Sequence, residues 1–269
     1  MLQQVYLMES DEETLRLDLK TDVNLVKQQA LWAGIKPGMR IADLGCGPGK
    51  TTFSLNRLVQ PEGRVVGVDI SSERIDYAEK NYLDRSIEYV CRDICQPLED
   101  LGLFDFIWVR FVLEYYRRES FEIVQNVSSL LKPGGILCLI DLDHNSLNHY
   151  GLPERFERAL WGIRDRLMKN GNFDPYVGRK LYSFVYDLNF DEIRIQVAPH
   201  HLIYGELKEA DAFNWTKKIE VAARRSGFQF EEYERGYSQF YEEFQRAFRD
   251  PRRFSYSPVI SCRGRKPFS

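Results

Sequence analysis

Ile41-Ala42-Asp43-Leu44-Gly45-Cys46-Gly47-Pro48-Gly49 is an apolar run that carries an acid near its end and then breaks into alternating glycines. Residues 40–44 read as a short strand and 50–59 as a helix, so the glycines join a strand to a helix. Bare backbone turns tightly there and lets a ligand approach without a Cβ in the way. The helix that follows offers free amides and the positive end of its dipole. Asp43 sits at the strand tip, where a carboxylate can meet an ammonium group. Asp69 closes the next strand, 64–70, about 20 residues beyond the last glycine, a spacing that suits a ribose hydroxyl contact.

Outward from this stretch the chain alternates strand and helix. Ser71-Ser72-Glu73 caps a helix to Asn81, because a serine oxygen accepts from first-turn amides. Strands are expected at 87–91, 104–110 and 136–141, with a helix at 118–131 and a turn at Lys132-Pro133-Gly134-Gly135. Upstream, Leu15, Leu19, Val23, Val26 and Ala30 follow helical spacing and predict one helix over 11–33, stopped by Lys36-Pro37-Gly38. Such alternation implies right-handed crossovers and a parallel sheet covered on both faces, with ligands at the carboxyl ends of its strands. After Asp141 the rhythm changes. Helices are expected at 152–170, within 172–189, and over 210–248 with breaks at Gly227 and Gly236; strands are expected at 193–203 and 256–263. The expectation is one domain over 1–269. It comprises a helical cap (1–35), a ligand-binding core (36–141), helical insertions over the substrate site (142–190 and 205–250) and a last strand (251–269).

Three glycine-loop chemistries compete. A nicotinamide fingerprint wants a small third residue in G-x-G-x-x-G/A, and that position is Lys50. A P-loop wants G-x-x-x-x-G-K-[ST]; Gly49-Lys50-Thr51 supplies its tail, but the leading glycine falls on Leu44, and ATP stays in play only through the Walker-B-like strand ending at Asp141. The pattern Asp-x-Gly-x-Gly-x-Gly fits without adjustment: it resembles motif I of class I S-adenosylmethionine (SAM) methyltransferases. The resemblance extends to Val65-Val66-Gly67-Val68-Asp69-Ile70-Ser71, to Cys91-Arg92-Asp93-Ile94, to 104–114 from Phe104 to Glu114, and to Leu130-Leu131-Lys132-Pro133-Gly134-Gly135. It covers about residues 38–141.

What the resemblance implies is an α/β fold, a seven-stranded, mostly parallel Rossmann-like sheet with helices on both faces and helical insertions. It also implies an enzyme that moves a methyl group from SAM to an acceptor, leaving S-adenosylhomocysteine. Asp43 would hold the methionine end, Asp69 both ribose hydroxyls, and Asp93 the adenine amine beside Ile94. Gly45, Cys46, Gly47, Gly49, Ile70, Arg74, Arg110 and Phe111 complete the expected cofactor site, and Tyr115 and Tyr116 are further candidates for the pocket wall. The N-terminal segment, with Tyr6, Glu9 and Arg16, resembles a cap that some relatives fold over the cofactor. The candidate bases are His144 and His149, in the loop after strand five, and the carboxylates Glu114 and Asp141. His200 and His201, adjacent on a strand, are expected to point to opposite faces.

Composition narrows the acceptor. The 37 Lys and Arg stand against 40 Asp and Glu, a formal charge of −3, so no basic field favours nucleic acid or an anionic membrane. The strand-four segment Val109-Arg110-Phe111-Val112 lacks the Asn-Pro-Pro-Tyr type motif of base-amino methylation, and there is no Pro-Cys pair for cytosine. A small-molecule acceptor, O-, N- or C-methylated, is expected, with aromatic segments 176–186 and 213–215 as a lid. The alternatives are a non-catalytic SAM- or nucleotide-binding regulatory domain, or a protein or RNA methyltransferase. The five cysteines lack a second Cys/His pair near Cys91 and Cys95, so no metal is expected, and reduced thiols suit the cytoplasm. Residues 1–20 are acidic and carry no long apolar run, so no signal peptide is expected, and no stretch reaches the roughly 18 apolar residues of a membrane span.

Overall fold

The computed structural model describes residues 13–144 and 148–268. Two helices, α1 (Glu13–Lys20) and α2 (Val23–Ala33), precede the sheet. The one helix expected over 11–33 is therefore two. The reason is local: the Asp22 side chain accepts from the amides of Asn24 and Leu25 and starts α2 afresh. Gly34, at φ 100°, then ends α2.

Five parallel strands follow, β1 (Arg40–Leu44), β2 (Arg64–Asp69), β3 (Ile87–Cys91), β4 (Phe104–Arg110) and β5 (Leu131–Leu142). They alternate with α3 (Lys50–Val59), α4 (Ser72–Asn81) and α5 (Ser120–Ser129). The rest of the described chain supplies β6 (Asn148–Tyr150), α6 (Glu154–Asn170), α7 (Leu181–Asp187), β7 (Asp191–Tyr204), α8 (Glu209–Ser226), α9 (Tyr237–Arg249) and β8 (Phe254–Arg265). The order across the sheet is β3-β2-β1-β4-β5-β8, with β8 antiparallel to β5 and β7 antiparallel to β8 on its far side. The expected mixed α/β sheet is present. The short β6 is an eighth strand, paired with the start of β8 beyond the end of β5.

The central strands β1, β2, β4 and β5 are buried on both faces, because side chains alternate across the sheet. Ala42, Val68, Ile107 and Leu139 face one layer, built from α5 and α7. Ile41, Val65, Phe106 and Cys138 face the other, built from α2 and α3. Helices α6, α8 and α9 form a third layer with a core of their own, including Phe156, Ile163, Ile219, Phe240 and Phe244. Among the described residues no helix is long and apolar enough to cross a membrane.

Candidate active site

The glycine loop is tied to the tip of β2. The amides of Gly45 and Cys46 both donate to the Val68 carbonyl, at 2.7 and 3.0 Å. The Gly47 amide donates to Asp69 Oδ2 at 2.9 Å. Gly45 has φ 80°, and a Cβ there would stand 2.3 Å from Val112 Cγ2, so only glycine lets the loop pass under the turn after β4. Gly47, at φ 56°, is different: the space a Cβ would enter is open, with Leu17 Cδ1 the nearest atom at 4.0 Å. Beyond it α3 begins without a side-chain cap, leaving its first amides available.

The loop forms the floor of an open cleft of about 830 Å³ at the carboxyl ends of β1, β2 and β4. Of the residues anticipated from sequence, Gly45, Cys46, Gly47, Asp69 and Ile70 line it, as do Arg74, Ile94, Arg110 and Phe111. Asp43, Gly49 and Asp93 do not. Asp43 is 1% exposed beneath the loop, where its Oδ2 accepts from Thr52 Oγ1 at 2.7 Å. Burial raises its carboxyl to about 7, against the lowering effects of Thr52 and Arg110. Gly49 is wedged against Ala78 and Tyr89. Asp93 spends one oxygen on its own loop, accepting from the Cys95 amide at 2.9 Å.

Asp69 is the best-placed acid. Besides Gly47 it receives the Ser71 amide and Arg74 Nε on Oδ1, at 3.0 and 3.1 Å. Arg110 donates from Nε to Gln29 Oε1 and lies 4.1 Å over the Phe111 ring; burial lowers its guanidinium to about 10. Phe111 holds φ 59°, a conformation costly for a bulky side chain and typical of functional turns. Lys50, which a P-loop would aim at phosphate, donates instead to the Asp18 carbonyl at 2.8 Å. The lysine of a P-loop is thus turned away from the cleft, whereas an acid at a strand tip, an open glycine and the apolar Ile70 and Ile94 suit a nucleoside. Leu17, in the expected N-terminal cap, stands on the cleft wall, as does Thr21 after it, which sequence reading did not single out.

A second cavity, of about 840 Å³, opens between α6, α8 and α9. Its wall is apolar, with Phe156, Trp215, Phe244 and Phe248 prominent, and Tyr115 lines both it and the cleft. Trp215 belongs to the expected lid, but Phe213 is 52% exposed and Tyr182 and Tyr186 lean against each other at the surface. The segment 176–186 is no lid, because the apolar side of α7 packs on the sheet through Leu181 and Val185.

The proposed bases separate. His149 reaches the second cavity, with Nδ1 2.7 Å from Ser255 Oγ. His144 lies behind it between Trp161, Tyr176 and Arg164, and lines neither large space; burial, then the Arg164 charge, lower its pKa. Glu114 is 3% exposed, close to Asp141, Lys20 and Lys218, and lines neither space. Asp141 is fully buried, and burial with the Glu114 charge pushes its carboxyl well up. Lys218, unforeseen from sequence, lines the cavity, and burial lowers its ammonium to about 8. Arg16 pairs with Glu13 and donates to Asn214, joining α1 to α8; Tyr6 and Glu9 lie outside the described residues. His200 and His201 do not point apart. Their rings are 4.3 Å from each other, because the pairing of β7 with β8 shifts register between Pro199 and His201. No group of three or more His, Cys, Asp and Glu fit to hold a metal occurs among the described residues.

Residues 41–135 match the family model described as a methyltransferase domain. The chain is 25% identical over 219 residues to the demethylmenaquinone methyltransferase of Lactococcus lactis, a match covering 78% of this chain and 76% of that one. It is 30% identical over 138 residues to a ubiquinone/menaquinone biosynthesis C-methyltransferase of Pseudomonas putida, covering 47% and 53% respectively. The match spans about half the length of several of these curated relatives. The solved phosphoethanolamine N-methyltransferase 2 of Haemonchus contortus, in complex with S-adenosylhomocysteine, shares the fold with a TM-score of 0.55 at 16% identity, over 91% of this chain and 52% of that one. With the sheet order and the glycine loop, residues 41–135 form a class I, Rossmann-like SAM-dependent methyltransferase domain.

Proposed function

We propose that the protein transfers the methyl group of SAM to a small, largely apolar acceptor held between α6, α8 and α9. The observation that carries this is the sharing of Tyr115: the nucleoside-type cleft and the apolar cavity meet at one side chain. SAM supplies an already activated sulfonium methyl group, so the chain's own work is positioning and water exclusion. Asp69 accepts a ribose hydroxyl. A carboxylate has about four acceptor sites; Ser71 and Arg74 take those on Oδ1 and Gly47 one on Oδ2, which leaves one on Oδ2 for the ligand. Ile70 and Ile94 hold the base, with Asp93 at its polar edge. The open face at Gly47 and the first amides of α3 take the methionine end, with Asp43 beneath them.

The aromatic wall around Tyr115 and Phe111 favours a sulfonium cation and gives water little to bond to. Attack by the acceptor atom forms its bond to the methyl carbon as the carbon–sulfur bond breaks, and the electron pair stays on sulfur. Where the acceptor is a hydroxyl or an amine, its proton passes to His149, which stands in the wall of the cavity and is oriented by Ser255. An acidic chain with an apolar acceptor cavity has little to offer RNA or DNA.

Calorimetry with SAM, S-adenosylhomocysteine, ATP and NAD tests the cofactor assignment, with SAM and its product expected to bind and the nucleotides not. A panel of phenolic, amine and isoprenoid acceptors with labelled SAM tests the transfer. SAM binding with no label moved to any small acceptor, while RNA or protein gains it, would overturn the reading.

A further inference from the structure

Arg164, on α6, stands in the wall of the apolar cavity and also faces a smaller adjoining space shared with His144 and His149. Its residue is only 5% exposed. A guanidinium taken this far from water needs a partner anion, because desolvating a charge is costly. Its only carboxylate contact among the described residues is Asp165 Oδ1 at 3.4 Å, on a side chain that is 55% exposed and therefore well solvated. Nη1 lies 3.3 Å from His144 Nε2. Arg164 can only donate, so Nε2 accepts from it, and burial, then the Arg164 charge, lower the ring's pKa. With Nε2 accepting, the ring proton sits on Nδ1. Arg164 Nε and His144 Nδ1 are both buried and have no hydrogen-bond partner. Buried donors are nearly always satisfied in folded proteins, so two orphans on neighbouring side chains point to an acceptor that arrives from outside.

The surroundings select the kind of acceptor. No Asp or Glu lines the large cavity, and its other cation is Lys218. Glu157 borders only the smaller space, and Arg164 makes no ion pair with it. The guanidinium lies over the Trp161 ring, its central carbon 3.5 Å from the ring centroid, so it is held in place before a ligand arrives.

We propose that the cavity receives an amphipathic acid, its carboxylate bound by Arg164 with His144 Nδ1–H as second donor and its hydrocarbon part lying among Phe156, Trp215, Phe244 and Phe248. The anionic group is the handle, and methylation takes place elsewhere on the molecule, on the side of Tyr115. This deepens the transfer reading by naming the acceptor class, and rests on it only for the claim that the occupant is methylated.

Binding of decanoate and of decanol to the full-length protein, read by calorimetry at fixed ionic strength, tests the handle without any variant. Decanoate is expected to bind about tenfold tighter or more, as a charge-assisted hydrogen bond does over a neutral one. Arg164→Gln should bring the two probes level, and Arg164→Lys should keep part of the preference, with melting curves confirming that each variant is folded. Equal affinity of the two probes for the wild-type protein would overturn the proposal, as would an undiminished preference in folded Arg164→Gln. SAM affinity, measured in parallel, separates the two readings: decanoate binding without SAM binding sinks the transfer reading, and the reverse sinks this one.

Discussion

Two acids at neighbouring strand tips have opposite fates. Asp69 faces the cleft and collects the amides of Gly47 and Ser71 with Arg74 Nε, whereas Asp43 is sealed beneath the loop with Thr52. Asp69→Ala is expected to weaken SAM binding by about 1.5–3 kcal/mol, roughly 10- to 150-fold, because a charge-assisted bond to the ribose is lost. Calorimetry checks this, and an unchanged Kd in a folded variant removes Asp69 from the site. For Asp43 the sign follows from its carboxyl rising to about 7 on folding. The folded state then binds more proton than the unfolded chain between about pH 4 and 7, so stability from this group is full below that window and falls as pH rises through it. Asp43→Asn keeps an acceptor for Thr52 and removes the titration. Its melting temperature should therefore change less than the wild type's between pH 5 and 8, and parallel curves would show that the buried carboxyl does not titrate there.

At the scale of elements, the glycine loop separates fold from binding. Gly45→Ala forces a Cβ into Val112 at a positive φ and is expected to cost about 2–4 kcal/mol of stability, from strain plus overpacking. Gly47→Ala meets open space, so it should cost only about 1 kcal/mol from its backbone conformation, yet hinder SAM through the methyl group it projects into the cleft. Denaturant melts with SAM titrations distinguish the two; a Gly47→Ala protein with wild-type affinity would mean that the cofactor does not lie along that face. This loop and the strands around it were legible in the sequence because strand alternation, glycine and capping signals are local. The break between α1 and α2 was equally local but was hidden by a continuous apolar period across Asp22. The placing of His200 beside His201 was not legible at all, since a register shift exists only in the pairing of β7 with β8.

Across the whole molecule, the site is made where two layers meet, and this was the least readable part. Helical spacing shows that α6, α8 and α9 each own an apolar face, but not that Phe156, Trp215 and Phe244 converge from distant parts of the chain on one cavity. Arg164 reads as a surface residue of a charged helix until that layer covers it. Tyr115 is where the layers communicate, because it borders the cofactor cleft on one side and the apolar cavity on the other. In-line transfer depends on a near-attack geometry, and a displacement of about 1 Å costs roughly a hundredfold in rate. Tyr115→Ala merges the two spaces and removes the surface against which both reactants rest. The expected outcome is a fall in kcat of about tenfold or more while SAM affinity, set by Asp69 and the glycine loop, shifts by less than about threefold. Single-turnover rates with SAM saturating, alongside SAM titrations of the same preparation, read both quantities. A variant that loses SAM affinity in proportion to rate would make Tyr115 part of the cofactor site alone, and one that loses neither would detach the apolar cavity from the reaction.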